Sequence, residues 1–361
     1  FNLKSNKITV ASAVSSCLML ARIQYLVWIF PLKRITIFRR FSSKKQMKVF
    51  DRNLKVRQRN HSLTINNSDQ YDYLREIAAS RLVDRLDDIT RTFPYALDIG
   101  CHRGHIMRNI RLKNEENEML IGGIEHLVQC DMASHAFLSM EKEKDETTKT
   151  ELLQLSNVVL DDEKLPFRPH SFDVVLSSLS LHWINDIPSH LNDVRTILKP
   201  DGAFIACMLG GTTLQELRHS FYLAETERKG GVSPHTSPLI LPSDFAALMQ
   251  SSGFTLPTVD IDSITVHYPD VFILLDHIRG MGENSAALNR ELTVGRESFL
   301  SMAAIYQSLY GLEDGSIPAT FQIISAIGWS PHESQPLPKR RGSQQHSLKD
   351  IASSTSPSLS S

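Results

Sequence analysis

Apolar and polar positions recur with two different periods along the chain, and the changes of period predict its elements. Residues 69–90 carry apolar side chains at three-to-four spacing, which is typical of an amphipathic helix. Short continuous apolar runs follow, separated by helical patterns, and predict strands. The predicted strands are Tyr95–Asp98, His126–Asp131, Asn157–Asp161, Phe172–Ser177 and Ala203–Met208. Such runs favour an α/β, doubly wound fold, in which helices cover both faces of a parallel sheet.

The later part of the chain continues the alternation of helices and apolar segments. A helix through Met107 and Ile110 is predicted after the first strand. A second helix is predicted over 188–198, ended by a Lys-Pro-Asp-Gly turn, and a third over 243–252. Two segments of alternating apolar and polar residues follow, near Val259 and Ile264. From residue 331 onward the composition is rich in Ser, Pro and Lys, which predicts a disordered tail over 331–361.

The N-terminal segment is basic and lacks acidic residues. Residues 1–50 contain no Asp or Glu, and such acid-poor segments with Arg and Ser are typical of mitochondrial transit peptides. We therefore predict that residues 1–46 are a transit peptide and disordered segment, with cleavage that leaves a mature chain beginning near Ser42 or Ser43. The alternative is a membrane span at 18–30, but Arg22 and Gln24 interrupt it and it falls short of the ~20 residues that a span needs.

Overall composition narrows the function classes. A formal net charge of −1 gives no electrostatic footprint for nucleic acid. The four cysteines are scattered and show neither a disulfide framework nor zinc-ribbon spacing. The 41% hydrophobic content suffices for one substantial core, predicted over residues 47–330.

Three successive predicted strands end in or just before an acid, and the first leads into a glycine-containing loop. In open α/β sheets, ligands bind at the carboxyl ends of the strands. Asp131 can there accept hydrogen bonds from two ribose hydroxyls, and Asp161 from an adenine amino group. The alternative is that each Asp only caps the following helix. The spacing Asp98-x-Gly100-x-x-x-Gly104 differs from the G-x-G-x-x-G of dinucleotide sites.

This loop resembles the first motif of class I S-adenosylmethionine (SAM) methyltransferases, with His102 at the position of the middle glycine. Residues 161–167, 172–175 and 198–202 resemble later motifs of that superfamily. The resemblance implies a Rossmann-like, seven-stranded, mostly parallel sheet and SAM as cofactor. It implies that the cofactor contacts are Asp98, Gly100, His102, Gly104, Asp131, Met132, Asp161, Asp162 and Ser177. His102 would either crowd the methionine end of SAM or provide a polar contact.

A narrower resemblance covers about residues 47–333. Its segments include Leu181-His182-Trp183, Gly210 to Arg218 and Gly280 to Asn284, and they look like the mitochondrial complex I assembly factor 5 family. That family has a methyltransferase fold and is assigned hydroxylation of an arginine in an iron–sulfur subunit of complex I. The resemblance implies early complex I assembly intermediates as partners. It also implies a peripheral position on the matrix side of the mitochondrial inner membrane.

Three residues after the fourth and fifth strands are candidates for a substrate pocket. His182 and Trp183 are expected at its mouth, with the Trp183 ring as a wall for a substrate guanidinium, and Glu216 as its carboxylate partner. The alternatives are a buried core Trp with a satisfied His, and a surface ion pair for Glu216. No metal site is predicted. The fourteen histidines are dispersed, and the spacing of His102 and His105 around a glycine suggests no 2-His-1-carboxylate triad.

Two other functions compete with arginine hydroxylation. One is carboxyl O-methyl transfer, since the malonyl-carrier methyltransferase of biotin synthesis has a similar His-Trp and Glu-Leu-Arg layout. The other is a non-catalytic assembly chaperone that binds SAM only for stability.

Overall fold

The computed structural model describes residues 48–65, 68–117, 120–137 and 153–336. The predicted transit peptide, its cleavage site and residues 337–361 of the predicted tail lie outside these ranges. Among the helices that are described, none combines the length and apolar character needed to cross a membrane.

Seven strands form one sheet in the order β3-β2-β1-β4-β5-β7-β6. The first five strands are mutually parallel, while β7 is antiparallel to both of its neighbours. This confirms the predicted doubly wound, mostly parallel architecture. The strands are β1 Tyr95–Ile99, β2 His126–Asp131, β3 Gln154–Val159, β4 Phe172–Ser178, β5 Leu198–Leu209, β6 Thr255–Tyr268 and β7 Ile317–Trp329.

Helices flank the sheet on both faces because alternate residues of the central strands point to opposite sides. Ala96 of β1 belongs to one apolar cluster, and Leu97 and Ile99 belong to the other. The helices are α1 Arg52–Thr64, α2 Tyr73–Asp87, α3 His105–Asn117, α4 Ile187–Ile197, α5 Gln215–Lys229, α6 Pro242–Ser251, α7 Val271–Gly280 and α8 Arg296–Tyr310. Short 3₁₀ turns occur at Ser68–Tyr71, Ile121–Gly123 and Leu181–Trp183.

Some predicted bounds were wrong. The third strand ends at Val159, so Asp161 lies in the loop beyond it rather than at its last position. The predicted turn at 199–202 lies within the beginning of β5. The two alternating segments near Val259 and Ile264 belong to the single strand β6, whose residues alternate between half-buried and exposed for most of its length.

Candidate functional site: a cofactor edge and an adjacent cavity

The loop after β1 has a backbone that requires glycine at two positions. Gly100 and Gly104 have φ values of 73° and 76°, a region that side chains with a Cβ rarely adopt. A Cβ on Gly100 would also lie only 2.3 Å from Cβ of Ser180. His102 has a φ of 50° without being glycine, so the loop holds one strained residue at its centre.

Asp98 lies in β1 just before this loop and is completely buried. Neither of its carboxylate oxygens has a hydrogen-bond partner among the described residues. Burial raises the pKa of Asp98 to about 8, because a charge is poorly stabilised away from water. An orphaned buried carboxyl beside a glycine loop fits the edge of a polar ligand site, where a ligand donor would satisfy it.

Asp131 ends β2 and holds the loop together. Its Oδ2 accepts from the backbone N–H of His102 at 3.0 Å, and its Oδ1 accepts from that of Ala133 at 2.7 Å. The carboxylate therefore lies at the carboxyl end of β2 and has a structural role in the loop.

The acid pair after β3 divides into an exposed and a buried member. Asp161 has a half-exposed side chain and pairs with Arg52. Asp162 is fully buried, accepts from the Ser180 hydroxyl at 2.7 Å and lies 3.5 Å from Arg59 Nη1. Burial alone would raise the pKa of Asp162, but Arg52 and Arg59 outweigh that effect and hold it below its usual range. Of the two acids, Asp162 is the more deeply buried, beyond the carboxyl end of β3 where the cofactor is predicted to bind.

Helix α1 places a row of basic side chains over these acids, which the sequence analysis missed. Arg52, Lys55 and Arg59 follow three-to-four spacing, so they share one face of the helix. Arg59 is 1% exposed, with its Nη1 3.6 Å from Asp131 and 3.5 Å from Asp162. A helical row of cations at this spacing was the signal available in the sequence.

The residues at the carboxyl ends of β1, β2 and β3 fit SAM in type, and the buried Arg59 lies between the acids Asp131 and Asp162. A cavity of only about 10 Å³ remains at the loop, whereas small-molecule sites usually enclose roughly 300–1,000 Å³. The two remaining predicted contacts are both buried: Met132 directly follows β2, and the hydroxyl of Ser177 donates to the Ile99 carbonyl at 3.2 Å.

A larger cavity of about 390 Å³ lies against the turn that follows β4. His182 and Trp183 line it, as predicted for a pocket mouth, and Glu283 provides a carboxylate. The remaining lining residues are mostly apolar or neutral, among them Leu54, Leu217 and Phe221, but they also include the charged residues Arg279, Arg290 and Glu291.

Glu283 is the acidic centre of this cavity and was missed by the sequence analysis. Its Oε1 accepts from Arg75 at 2.6 Å, and its Oε2 accepts from His182 Nε2 at 3.0 Å and Trp183 Nε1 at 2.8 Å. Burial alone would raise the pKa of Glu283, but the contacts with His182, Lys55 and Arg75 hold it well below its usual range. Glu283 is thus ionised and anchored by three donors.

Glu216, the carboxylate predicted for the substrate, has a different setting. It is 5% exposed at the start of α5, and it accepts from the backbone N–H and the hydroxyl of Thr320 in β7. It is not among the residues that line the larger cavity. The predicted aromatic wall also has a neighbour already, since Lys55 Nζ lies over the Trp183 ring.

Comparison with known proteins places this geometry in a family. A model described as "Methyltransferase domain" matches residues 97–206. The chain is 45% identical over 315 residues to "Arginine-hydroxylase NDUFAF5, mitochondrial" of Danio rerio, covering 87% of this chain and 93% of that protein. It is 44% identical over 310 residues to the Homo sapiens protein of the same name, covering 86% and 85%. Among solved structures, YcgJ of Bacillus subtilis has a TM-score of 0.48 and 13% identity, covering 71% of this chain and 99% of that one. The chain belongs to the family of the mitochondrial arginine-hydroxylase NDUFAF5, which confirms the resemblance to the complex I assembly factor and its methyltransferase-type fold.

Proposed function

We propose that this protein hydroxylates an arginine side chain of an iron–sulfur subunit of complex I during early assembly, on the matrix side of the mitochondrial inner membrane. The observation that carries the proposal is the 45% identity across 93% of a protein named arginine hydroxylase. The partners are complex I assembly intermediates, and the contact with the membrane is peripheral.

The larger cavity supports a guanidinium as the bound group. A carboxylate offers about four lone-pair positions, and three are taken at Glu283 by Arg75, His182 and Trp183. One acceptor position of Glu283 is thus left for an incoming arginine, and apolar lining residues such as Leu217 and Phe221 suit its methylene stem. This assigns to Glu283 the role that the sequence analysis gave to Glu216.

His182 and Trp183 act in this proposal as positioning residues for Glu283. Burial lowers the pKa of His182, although Glu283 opposes the shift, and a neutral imidazole can donate its Nε2–H to the carboxylate. Trp183 donates from the other direction through Nε1. The two donors fix the orientation of the carboxylate that an incoming guanidinium would meet.

SAM is the proposed cofactor, bound at the loop after β1 through Asp98, Asp131 and Asp162. Its binding requires Arg59 to move away from Asp131 and Asp162. SAM supplies a methyl group for transfer to a nucleophile. Methyl transfer is therefore the second candidate function, favoured by the match of the methyltransferase model to residues 97–206.

Mass spectrometry of complex I subunits from cells that lack the protein tests the proposal. We expect one arginine of an iron–sulfur subunit to lose one oxygen atom and to regain it on complementation. A lost methyl group would favour methyl transfer, and failed assembly with neither change would favour a non-catalytic chaperone. Complementation with Glu283→Gln should fail to restore the oxygen. Glu216→Gln, the matched carboxylate outside the cavity, should restore it.

A further inference from the structure

We propose that Asp72, His102 and His105 form a binding site for one divalent transition-metal ion, of the kind that iron(II) occupies in 2-His-1-carboxylate sites. One oxygen of Asp72 and one ring nitrogen of each histidine all lie within 4.8 Å of one another. Bonds of about 2.1 Å to a shared ion would place such atoms about 3–4 Å apart. Small side-chain rotations therefore suffice to close the site.

The two imidazoles are buried with unused nitrogens. His102 and His105 are 2% and 3% exposed, and His102 Nδ1 and His105 Nε2 have no hydrogen-bond partner among the described residues. His105 Nε2 lies 3.8 Å from Asp72 Oδ2, beyond hydrogen-bond distance. Buried nitrogens are nearly always satisfied, so two unsatisfied ones in one cluster call for a ligand.

An outer carboxylate orients one of these rings. His105 Nδ1 lies 2.9 Å from Glu76 Oε2, and the other oxygen of Glu76 accepts from Asn109 at 2.7 Å. Because Glu76 can only accept, His105 carries its proton on Nδ1 and leaves Nε2 free to bind a metal. This carboxylate–histidine arrangement is the usual outer shell of metal-bound histidine.

Cations near the cluster are matched by carboxylates or carbonyls. Arg75 pairs with Glu283 at 2.6 Å, and Arg59 lies between Asp131 and Asp162. Arg103 donates to the Ser62 carbonyl at 3.0 Å, and its Nε lies 3.4 Å from Asp72 Oδ2. Arg103 is the one that shares a ligand atom with the site, and an ion would compete with it for Asp72.

A second cluster of suitable residues, Glu225, His235 and Glu291, differs in one decisive respect. Lys229 Nζ already lies 3.1 Å from Glu225 and 2.7 Å from Glu291. An ammonium therefore already pairs with both carboxylates of that cluster, which makes the cluster a suitable control.

The position of the proposed ion suits oxygen chemistry near the larger cavity. Arg75, His102 and His105 line the small cavity at the loop, and Arg75 pairs with Glu283, which lines the larger one. Two histidines and one carboxylate leave open positions on an octahedral ion, a ligand set typical of non-haem iron(II) oxygenases. The metal site goes beyond the proposed function, which assigns no metal ion. Binding of the ion can be measured without any hydroxylation.

Titration of the full-length, chelator-treated protein with cobalt(II) under anaerobic conditions tests the site, with visible absorption as the readout. We expect one equivalent to bind, with the absorption bands of a nitrogen- and oxygen-ligated ion. His102→Gly and His105→Gln should each weaken binding by roughly 100-fold or more, beyond the 10–100-fold expected of the outer-shell variant Glu76→Gln. His102→Gly also relieves the positive φ at that position, so the variant should fold.

The control is His235→Asn, which should bind cobalt(II) like the parent, with circular dichroism showing that every variant is folded. The proposal is overturned if the parent takes up no cobalt(II), if His102→Gly and His105→Gln bind it normally, or if only His235→Asn loses it. Hydroxylation assays on the same variants keep the two proposals separate. Loss of cobalt(II) binding with normal hydroxylation would confirm the site and remove it from that reaction.

Discussion

The side-chain nitrogen Nζ of Lys55 lies 3.1 Å from the centroid of the Trp183 ring. The same atom donates to the backbone carbonyls of Gly282 and Asn284 at 2.8 and 3.2 Å. Helix α1, the turn after β4 and the segment after α7 thus meet at one buried lysine. The ring face expected to receive a substrate guanidinium is covered by the chain's own side chain.

Lys55 should make stability depend on pH in a defined direction. Burial lowers its pKa well below the usual value near 10.4. Between those two pKa values the unfolded chain holds more protons than the folded one, so the Lys55 contribution to stability rises with pH. The free energy of unfolding of the parent minus that of Lys55→Met should increase as the pH rises toward the unfolded-state pKa near 10.4. Urea titrations measure it, and a flat or falling difference would contradict the assignment.

Trp183 should behave as a core residue. It is 1% exposed and packs edge-on against Phe50 at 5.2 Å. Trp183→Ala should cost roughly 3–5 kcal/mol of unfolding free energy, because a large cavity remains. Trp183→Phe keeps most of the volume and loses mainly the hydrogen bond to Glu283, at about 1–3 kcal/mol. Thermal and urea unfolding of both variants check this, and equal losses would argue against it.

Arg59 should contribute strongly to the stability of the fold, because it lies between two buried acids. Arg59→Gln leaves the buried Asp131 and Asp162 with less compensation, and we expect a loss of roughly 3–5 kcal/mol. Arg85→Gln is the matched control, since its pair with Asp260 lies at the surface and should be worth less than about 1 kcal/mol. Equilibrium unfolding compares them. Similar losses for both arginines would refute the ranking.

SAM affinity should depend on Asp131 more than on His102. Asp131→Ala removes the ribose acceptor and the contacts to the loop N–H groups, and Asp131→Asn retains one oxygen. Both should weaken binding by roughly 1–3 kcal/mol, with the alanine variant also less stable. His102→Gly should bind equally or better if the ring only crowds the cofactor. Calorimetry decides, with the surface variant Asp260→Asn as control, and unchanged affinity for both Asp131 variants would remove SAM from this edge.

The sheet and the glycine loop were predictable because their signals are local. Continuous apolar runs around Leu97, Val128 and Val175 predict buried parallel strands, and Gly100 and Gly104 follow the first of them directly. β7 was missed, although the run from Ile323 to Ile327 is apolar except for Ser325. Such a run cannot be told from a buried helix segment by periodicity alone.

The polar centres of the site were less predictable because their partners are distant in sequence. Glu283 lies 208 residues from Arg75 and 101 residues from His182. No local sequence pattern relates such distant positions. Glu216 was therefore predicted as the substrate carboxylate because it follows a strand, whereas Glu283 follows a helix. Asp72 was not predicted as a partner of His102 and His105 for the same reason, since the packing of α2 on α3 brings these residues together.

The position of β7 between β5 and β6 has a consequence for synthesis of the protein. β6 lies at the edge of the sheet and joins it only through β7, which is translated about fifty residues later. Until residues 317–329 leave the ribosome, β5 and β6 both present open strand edges, which are templates for association with other chains. A premature stop codon between Tyr268 and Ile317 therefore removes two strands from the sheet rather than one, because β6 then has no strand to pair with.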